Sequence, residues 1–135
     1  MTAETNTDIE SLGASKGDRL PNTVETQYNI GLTYEYSSPL MGLASFVRDD
    51  YLYYGDSFAT FEQSESMFSP DYTKININWG MQIDENNSIQ LSIDNATDER
   101  TEAFKYSVSS PSWRPRDYMQ WIPPRSITFT YRYNY

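Results

Sequence analysis

The chain has 135 residues, a formal net charge of −9 and 16% aromatic residues, twelve of them tyrosine, with no cysteine and no histidine. That length allows one domain at most, and acidity of this size gives nucleic-acid binding no electrostatic support. Without cysteine or histidine there is no disulfide, thiolate chemistry or Ser-His-Asp triad, and most zinc sites are excluded.

Residues 1–26 are polar, carry Gly13, Gly17 and Pro21 as breakers, and read as a loop. The opening Met1-Thr-Ala-Glu-Thr-Asn-Thr-Asp8 lacks the basic stretch and apolar core of a signal peptide. From Gln27 a strand begins, with Tyr28, Ile30, Leu32, Tyr34 and Tyr36 on one face and Gln27, Asn29, Thr33 and Glu35 on the other. Ser37–Gly42, with Pro39 and Gly42, suits a tight turn. The next strand, Leu43–Tyr54, is expected to place Val47, Tyr51 and Tyr53 outward and Arg48, Asp50 and Leu52 inward. That register leaves Asp49 on the apolar side.

Residues 55–70 read as a longer loop. Thr73, Ile75, Ile77, Trp79, Met81 and Ile83 then alternate with Tyr72, Lys74, Asn76, Asn78, Gly80 and Gln82. Asp84-Glu-Asn-Asn87 is a short turn of Asx chemistry. Ile89, Leu91 and Ile93 alternate with Ser88, Gln90, Ser92 and Asp94, and residues 101–124 form the longest connection, with Pro111, Pro115, Pro123 and Pro124. The last strand sets Ile127, Phe129, Tyr131, Tyr133 and Tyr135 against Ser126, Thr128, Thr130, Arg132 and Asn134.

The fold class expected is all-β, an antiparallel meander of about five long strands. No run of about 18 apolar residues is present for a transmembrane helix, but barrel strands cross a membrane without one. An exposed aromatic edge is an aggregation hazard in a soluble domain, whereas in a transmembrane barrel one face meets lipid and closure removes the edge. The connections alternate short and long, as the periplasmic turns and extracellular loops of such barrels do. On that count 37–42 and 84–87 are periplasmic, and 1–26, 55–71 and 97–124 are extracellular. A barrel protein must be exported, so the chain reads as the C-terminal piece of something longer.

Four segments carry a family resemblance: Gly17-Asp-Arg-Leu-Pro-Asn-Thr23, Arg48-Asp-Asp-Tyr-Leu-Tyr-Tyr54, Asn95-Ala-Thr-Asp-Glu-Arg100 and the terminal Pro124-Arg-Ser-Ile-Thr-Phe-Thr-Tyr-Arg-Tyr-Asn-Tyr135. In this order they resemble the C-terminal barrel of TonB-dependent outer-membrane receptors, over roughly residues 17–135. Ala96 stands where Leu is common in the family, and Thr101 where an aromatic is common. The resemblance implies an open C-terminal segment of a 22-stranded transmembrane β-barrel with a plugged lumen. Residues 1–26 are then an extracellular segment and 27–135 the barrel strands and loops, with the plug domain lying elsewhere. It implies energised uptake of a scarce ligand such as a siderophore or cobalamin. Expected partners are outer-membrane lipid, a small-molecule ligand, the barrel-assembly machinery, and a TonB complex reached through the missing N-terminal part. In the family the terminal aromatic strand, here Phe129, Tyr131, Tyr133 and Tyr135, is the assembly signal.

Trp113, Arg114, Arg116, Tyr118 and Trp121 are the candidate ligand-binding residues. Paired guanidinium groups suit a carboxylate or phosphate, and the aromatics suit a ring. The plainer account packs the aromatics onto neighbouring loops and turns the arginines to lipopolysaccharide phosphates. Asp49 and Asp50 point to opposite faces of a strand and cannot share a substrate. Asp98-Glu99, beside Arg100, reads as a solvated loop opening. No catalytic residue, metal site or cofactor is expected, and the chain is not read as an enzyme. The competing architecture is a soluble β-sandwich acting as a carbohydrate-binding module, with exposed tyrosine and tryptophan as its platform. A porin is the neighbouring alternative among barrels.

Overall fold

The computed structural model describes residues 3–10, 13–38, 41–110 and 113–135, without the side chains at 109, 110, 113 and 115. Pro39 and Pro111, expected to act as breakers, lie outside the described residues. The fold is all-β. Its strands are β1 (Gln27–Ser37), β2 (Ala44–Tyr54), β3 (Ser57–Phe58), β4 (Phe68–Ser69), β5 (Tyr72–Gln82), β6 (Asn87–Asp94), β7 (Glu102–Ser110), β8 (Trp113–Trp121) and β9 (Ser126–Tyr133). Five of them form one antiparallel sheet in the order β1-β2-β5-β6-β9, so the five long strands expected from alternation pair in sequence order. β3 pairs with β4 and β7 with β8 in two further two-stranded sheets.

The chain divides into two compact units. One comprises Met1–Gln27, Tyr53–Tyr72 and Arg100–Ile122, and the other Tyr28–Leu52, Thr73–Glu99 and Pro123–Tyr135. The second unit holds the body of the five-stranded sheet, and there the alternation of the sequence becomes rows across strands. Ile77, Ile93 and Ile127 stand in one row, Trp79, Leu91 and Phe129 in the next, and Met81, Ile89 and Tyr131 in a third. Between them run Asn78, Ser92 and Thr128; Gly80, Gln90 and Thr130; and Gln82, Ser88 and Arg132. Successive strand residues face opposite sides, so one face is apolar and the other polar.

β1 and β2 join the same two faces. Tyr28 stacks on Tyr51 with ring centroids 6.0 Å apart, and Tyr34 on Tyr36 at 5.7 Å. Trp79 Nε1 donates to the Tyr36 hydroxyl at 2.9 Å, which places β1 aromatics on the apolar face of β5. On the polar face Arg48 Nη1 donates to Thr33 Oγ1 at 3.3 Å, and Arg48 pairs with Asp50 at 2.6 Å. The register expected for β2 therefore stands, with Asp49 on the apolar side.

The apolar face is uncovered. Leu32 is 70% exposed, Ile30 57%, and Ile127 and Phe129 66% each. Among the described residues the buried hydrophobics are Ala14, Met67 and Ile122, all in the first unit, and the largest fully buried side chain is that of Asn95. Among the described residues the second unit thus holds no fully buried hydrophobic side chain.

In the first unit the segments read as loops are paired. Residues 3–26 carry bridges Glu4↔Arg19 and Ile9↔Ala14, and 55–70 contain β3, β4 and a 3-10 turn at Glu65–Met67. Residues 101–124, read as one long connection, contain β7 and β8. Prolines hid this pairing. Pro115 falls where the β7–β8 register shifts between Val108 and Ser110, and a bulge there lets a residue without an N–H sit within a strand. Arg19 ties this unit together, with Nη2 donating to the carbonyls of Asp56 at 2.8 Å and Thr23 at 3.1 Å.

One close approach inside the sheet is testable. A Cβ on Gly80 would run into the edge of the Phe46 ring at Cε1, so that ring covers a place only glycine leaves open. Gly80→Ala must displace that ring, an overpacking cost of about 1–3 kcal/mol. Phe46→Ala combined with Gly80→Ala is expected to lose less than the sum of the single changes. Urea unfolding followed by tryptophan fluorescence measures both.

Candidate functional site

Three places in the fold gather the residues singled out by the sequence. The first is the β7–β8 pair. Tyr106 lies opposite Tyr118 with rings stacked at 4.9 Å and 10°, and Phe104 adds a tilted ring 5.8 Å from Tyr106. Arg116 lies opposite Val108 and shares this face of β8 with Tyr118. Trp121, level with Glu102, falls on the other face with Met119 and Asp117. Of the five candidate ligand-binding residues, the fold therefore brings Arg116 and Tyr118 to one face and sets Trp121 on the other. Arg114 is exposed, in the irregular stretch beside Pro115. The side chain of Trp113 lies outside the described residues. Tyr106 and Phe104 were not singled out from the sequence, although the alternation Phe104, Tyr106, Val108 was there to find. Lys105 is held by Glu102 at 2.6 Å.

The second place is the polar face of the five-stranded sheet. It hollows into an open cleft of about 620 Å³ lined by Glu35, Phe46, Gln82, Gln90, Thr130 and Arg132, among others. Amides, hydroxyls and one charge of each sign line the cleft. Such a surface can hydrogen-bond water, polypeptide or a polar solute.

The third place is the segment that carries the most specific part of the resemblance. Asn95 is 1% exposed and sits at φ 51°, in the left-handed region where asparagine is tolerated. Its Nδ2 donates to the carbonyls of Glu99 and Pro123, each at 2.9 Å. Its Oδ1 accepts from the Glu99 amide at 3.0 Å, and its own amide donates to Asn76 Oδ1 at 3.0 Å. The Ala96 amide donates to the Ile75 carbonyl at 2.7 Å, and the Arg125 amide to Asp98 Oδ1 at 3.0 Å. Asn95 thus ties the end of β6 to the approach to β9 through its buried side chain and to β5 through its own amide and that of Ala96. Asp98 serves this clasp as a hydrogen-bond acceptor, beyond the solvated loop opening read from the sequence.

At the other end of β6, the carboxylate of Asp84 receives three donors through Oδ1: Asn87 Nδ2 and the Asn87 amide at 2.8 Å, and the Asn86 amide at 2.9 Å. The Asn87 side chain foremost, and then the backbone amides, hold this carboxyl below its ordinary value of 3.8. Asn86 also fastens the end of the chain. Its Nδ2 donates to the Asn134 carbonyl at 2.6 Å, and the Asn134 amide donates back to the Asn86 carbonyl at 2.9 Å. Tyr131 donates its hydroxyl to Asn87 Oδ1. Phe129, Tyr131 and Tyr133 lie along β9, and the Tyr135 ring is fully exposed, 5.8 Å from that of Tyr133.

No family profile, curated protein or solved structure matches the chain.

Two predictions come from these networks. Asn95→Gly keeps the left-handed backbone but removes the buried side-chain bonds, and is expected to cost about 2–3 kcal/mol. Asn95→Ala adds backbone strain of about 1 kcal/mol more. Urea midpoints should rank native above Gly above Ala, with the Glu99 amide losing hydrogen-exchange protection in both. For Asp84, the folded carboxyl titrates below its ordinary value of 3.8, so its stabilisation is present above that pH and is lost as pH falls through the folded value. Protection factors of the Asn86 and Asn87 amides, measured by NMR, should fall in that range, and Asp84→Asn should remove the pH dependence.

Proposed function

We propose that this chain is the C-terminal wall of a TonB-dependent outer-membrane receptor, a segment of a 22-stranded barrel that takes up a scarce ligand. The observation that carries the reading is the uncovered apolar face of five antiparallel strands in sequence order, backed by a polar face of amides and hydroxyls. A soluble protein of this size would bury such rows, because exposed apolar area costs about 25 cal/mol per Å² relative to burial. Lipid supplies the missing cover, and each strand of the sheet has a hydrogen-bonded neighbour on both sides except β1 and β9, which form its edges. β1, β2 and β5 are each 11 residues long, the upper end of what crosses a bilayer as tilted strands. β6 and β9 are eight residues long, and the Arg125 and Asn134 amides prolong the bonded path of β9 at its two ends.

In this reading the polar face lines the lumen and the aromatics of β1, β2, β5 and β9 include the interfacial girdles. The β7–β8 pair, with Arg116 and Tyr118 on one face, is an extracellular element that meets the ligand, a siderophore or cobalamin by the resemblance. TonB coupling and the plug belong to sequence outside this chain, and β9 with Tyr135 is what the assembly machinery reads. The four segments of the resemblance favour a receptor over a porin. The sandwich alternative needs a second layer on Ile30, Leu32, Ile127 and Phe129, all of which are exposed.

The experiment is a pair of lysines on adjacent residues of β5. Ile77 lies in an apolar row and Asn78 in a polar one. A lysine facing lipid near the bilayer midplane costs about 2–4 kcal/mol, and one facing the lumen far less. Ile77→Lys is expected to lower partition of the chain from urea into lipid vesicles by that amount, and Asn78→Lys to leave it nearly unchanged. Equal effects would remove the membrane reading.

A further inference from the structure

One edge of β8 is open. β7 pairs with β8 along one side, and among the described residues no strand pairs with it along the other. The backbone decides which groups face that edge. The Ile122 amide donates to the Thr101 carbonyl, so at Ile122 the main chain turns toward the β7 side. Along a strand the N–H and C=O groups of successive residues point to opposite sides, so those of Gln120, Tyr118 and Arg116 also turn to β7. Those of Trp121, Met119 and Asp117 turn outward, and among the described residues no hydrogen bond reaches them there. Pro115 has no N–H and ends the usable edge at the bulge.

An open edge can accept another extended chain, and the side chains beside it say of what kind. Arg116 shares a face of β8 with Tyr118, and Arg114 precedes it by two residues. Both arginines are exposed, and among the described residues neither has a hydrogen bond or an ion pair. Lys105, by contrast, is held by Glu102. The other face carries Met119 and Trp121, each 54% exposed. A strand added along this edge alternates its own side chains between the two faces. Carboxylates suit the guanidinium side, and apolar side chains suit the thioether and the indole. Asp117, on the Met119 side, turns acidic residues away from that face.

We propose that the outer edge of β8 is a docking site for an extended polypeptide segment in which acidic and apolar residues alternate. Main-chain hydrogen bonds to Asp117, Met119 and Trp121 hold it, and Arg116 with Arg114 selects its charge. The site lies wholly within the first unit and does not depend on the membrane reading.

The test uses the whole chain refolded in zwitterionic detergent and a short, capped, fluorescein-labelled peptide of alternating glutamate and valine, with binding read by fluorescence anisotropy. The native chain should bind this peptide at least about tenfold more tightly than its lysine–valine counterpart. Methylating the alternate peptide nitrogens that face β8 should abolish binding, and methylating the other set should leave it. Met119→Pro removes an outward N–H and should abolish binding too, with the Tyr118 and Gln120 amides still protected from hydrogen exchange. If that variant loses the hairpin, the methylated peptides still decide. Arg116→Gln should weaken the glutamate peptide severalfold without weakening the lysine one. Equal affinity for the two peptides, or indifference to both methylations, overturns the site. So does an absence of binding, which would make Arg114 and Arg116 guards of a closed edge.

Discussion

The sheet depends on a buried asparagine. Asn95 leaves β6 in a left-handed turn and uses both ends of its amide to bind Glu99, where the chain departs, and Pro123, where it returns. Twenty-three residues separate Glu99 from Pro123 in the sequence, β7 and β8 among them. Closing such a loop has an entropic cost that grows only slowly with its length. The difficulty is to bring β9 back beside β6 in the one register that keeps Ile127 level with Ile93, because a slip of one residue would turn every β9 side chain to the other face. The Asn95 and Asp98 bonds fix that register at one end of the strand pair, and the Asn86–Asn134 exchange fixes it at the other.

Register matters more here than in an ordinary domain because, among the described residues, the sheet holds no fully buried hydrophobic side chain that would select it. The body of the sheet buries Asn95, Ser45 and Gly80, while the large apolar side chains of β5 and β6 are half-buried among their neighbours and those of β9 and most of β1 stay exposed. Local hydrogen bonds at strand ends therefore do work that side-chain packing does elsewhere, and the apolar rows wait for an external phase.

Much of the sheet was legible in the sequence because its signal is local. Period-two alternation in 28–36, 72–83, 88–94 and 126–135 located four strands within a residue or two of their bounds. The fifth, 44–54, followed once Asp49 was accepted on the apolar side. The paired segments 102–110 and 113–121 were not legible. Pro115 reads as a breaker until a bulge is there to absorb it, and the register shift near Ala103 interrupts the period that would have announced β7. Convergence was misjudged for a related reason: Arg116, Tyr118 and Trp121 look like one cluster in a line of text, yet a strand sends Trp121 to the face opposite Arg116. The Asn95 segment was recognised as a motif, but its role as a buried clasp depends on Asn76 and Pro123, residues far away in sequence.

The central claim is that one face of this sheet meets lipid and the other water. The chain has no native cysteine, so single cysteines can be placed from 72 to 82, leaving out Gly80 where the Phe46 ring admits no side chain, and spin-labelled. Collision with oxygen, which concentrates in lipid, and with a water-soluble nickel chelate then reports the surroundings of each side chain in vesicles. The account predicts a period of two, with 75, 77, 79 and 81 open to oxygen and 74, 76, 78 and 82 open to the chelate. Uniform exposure to the chelate, or protection of both sets from oxygen, would contradict it.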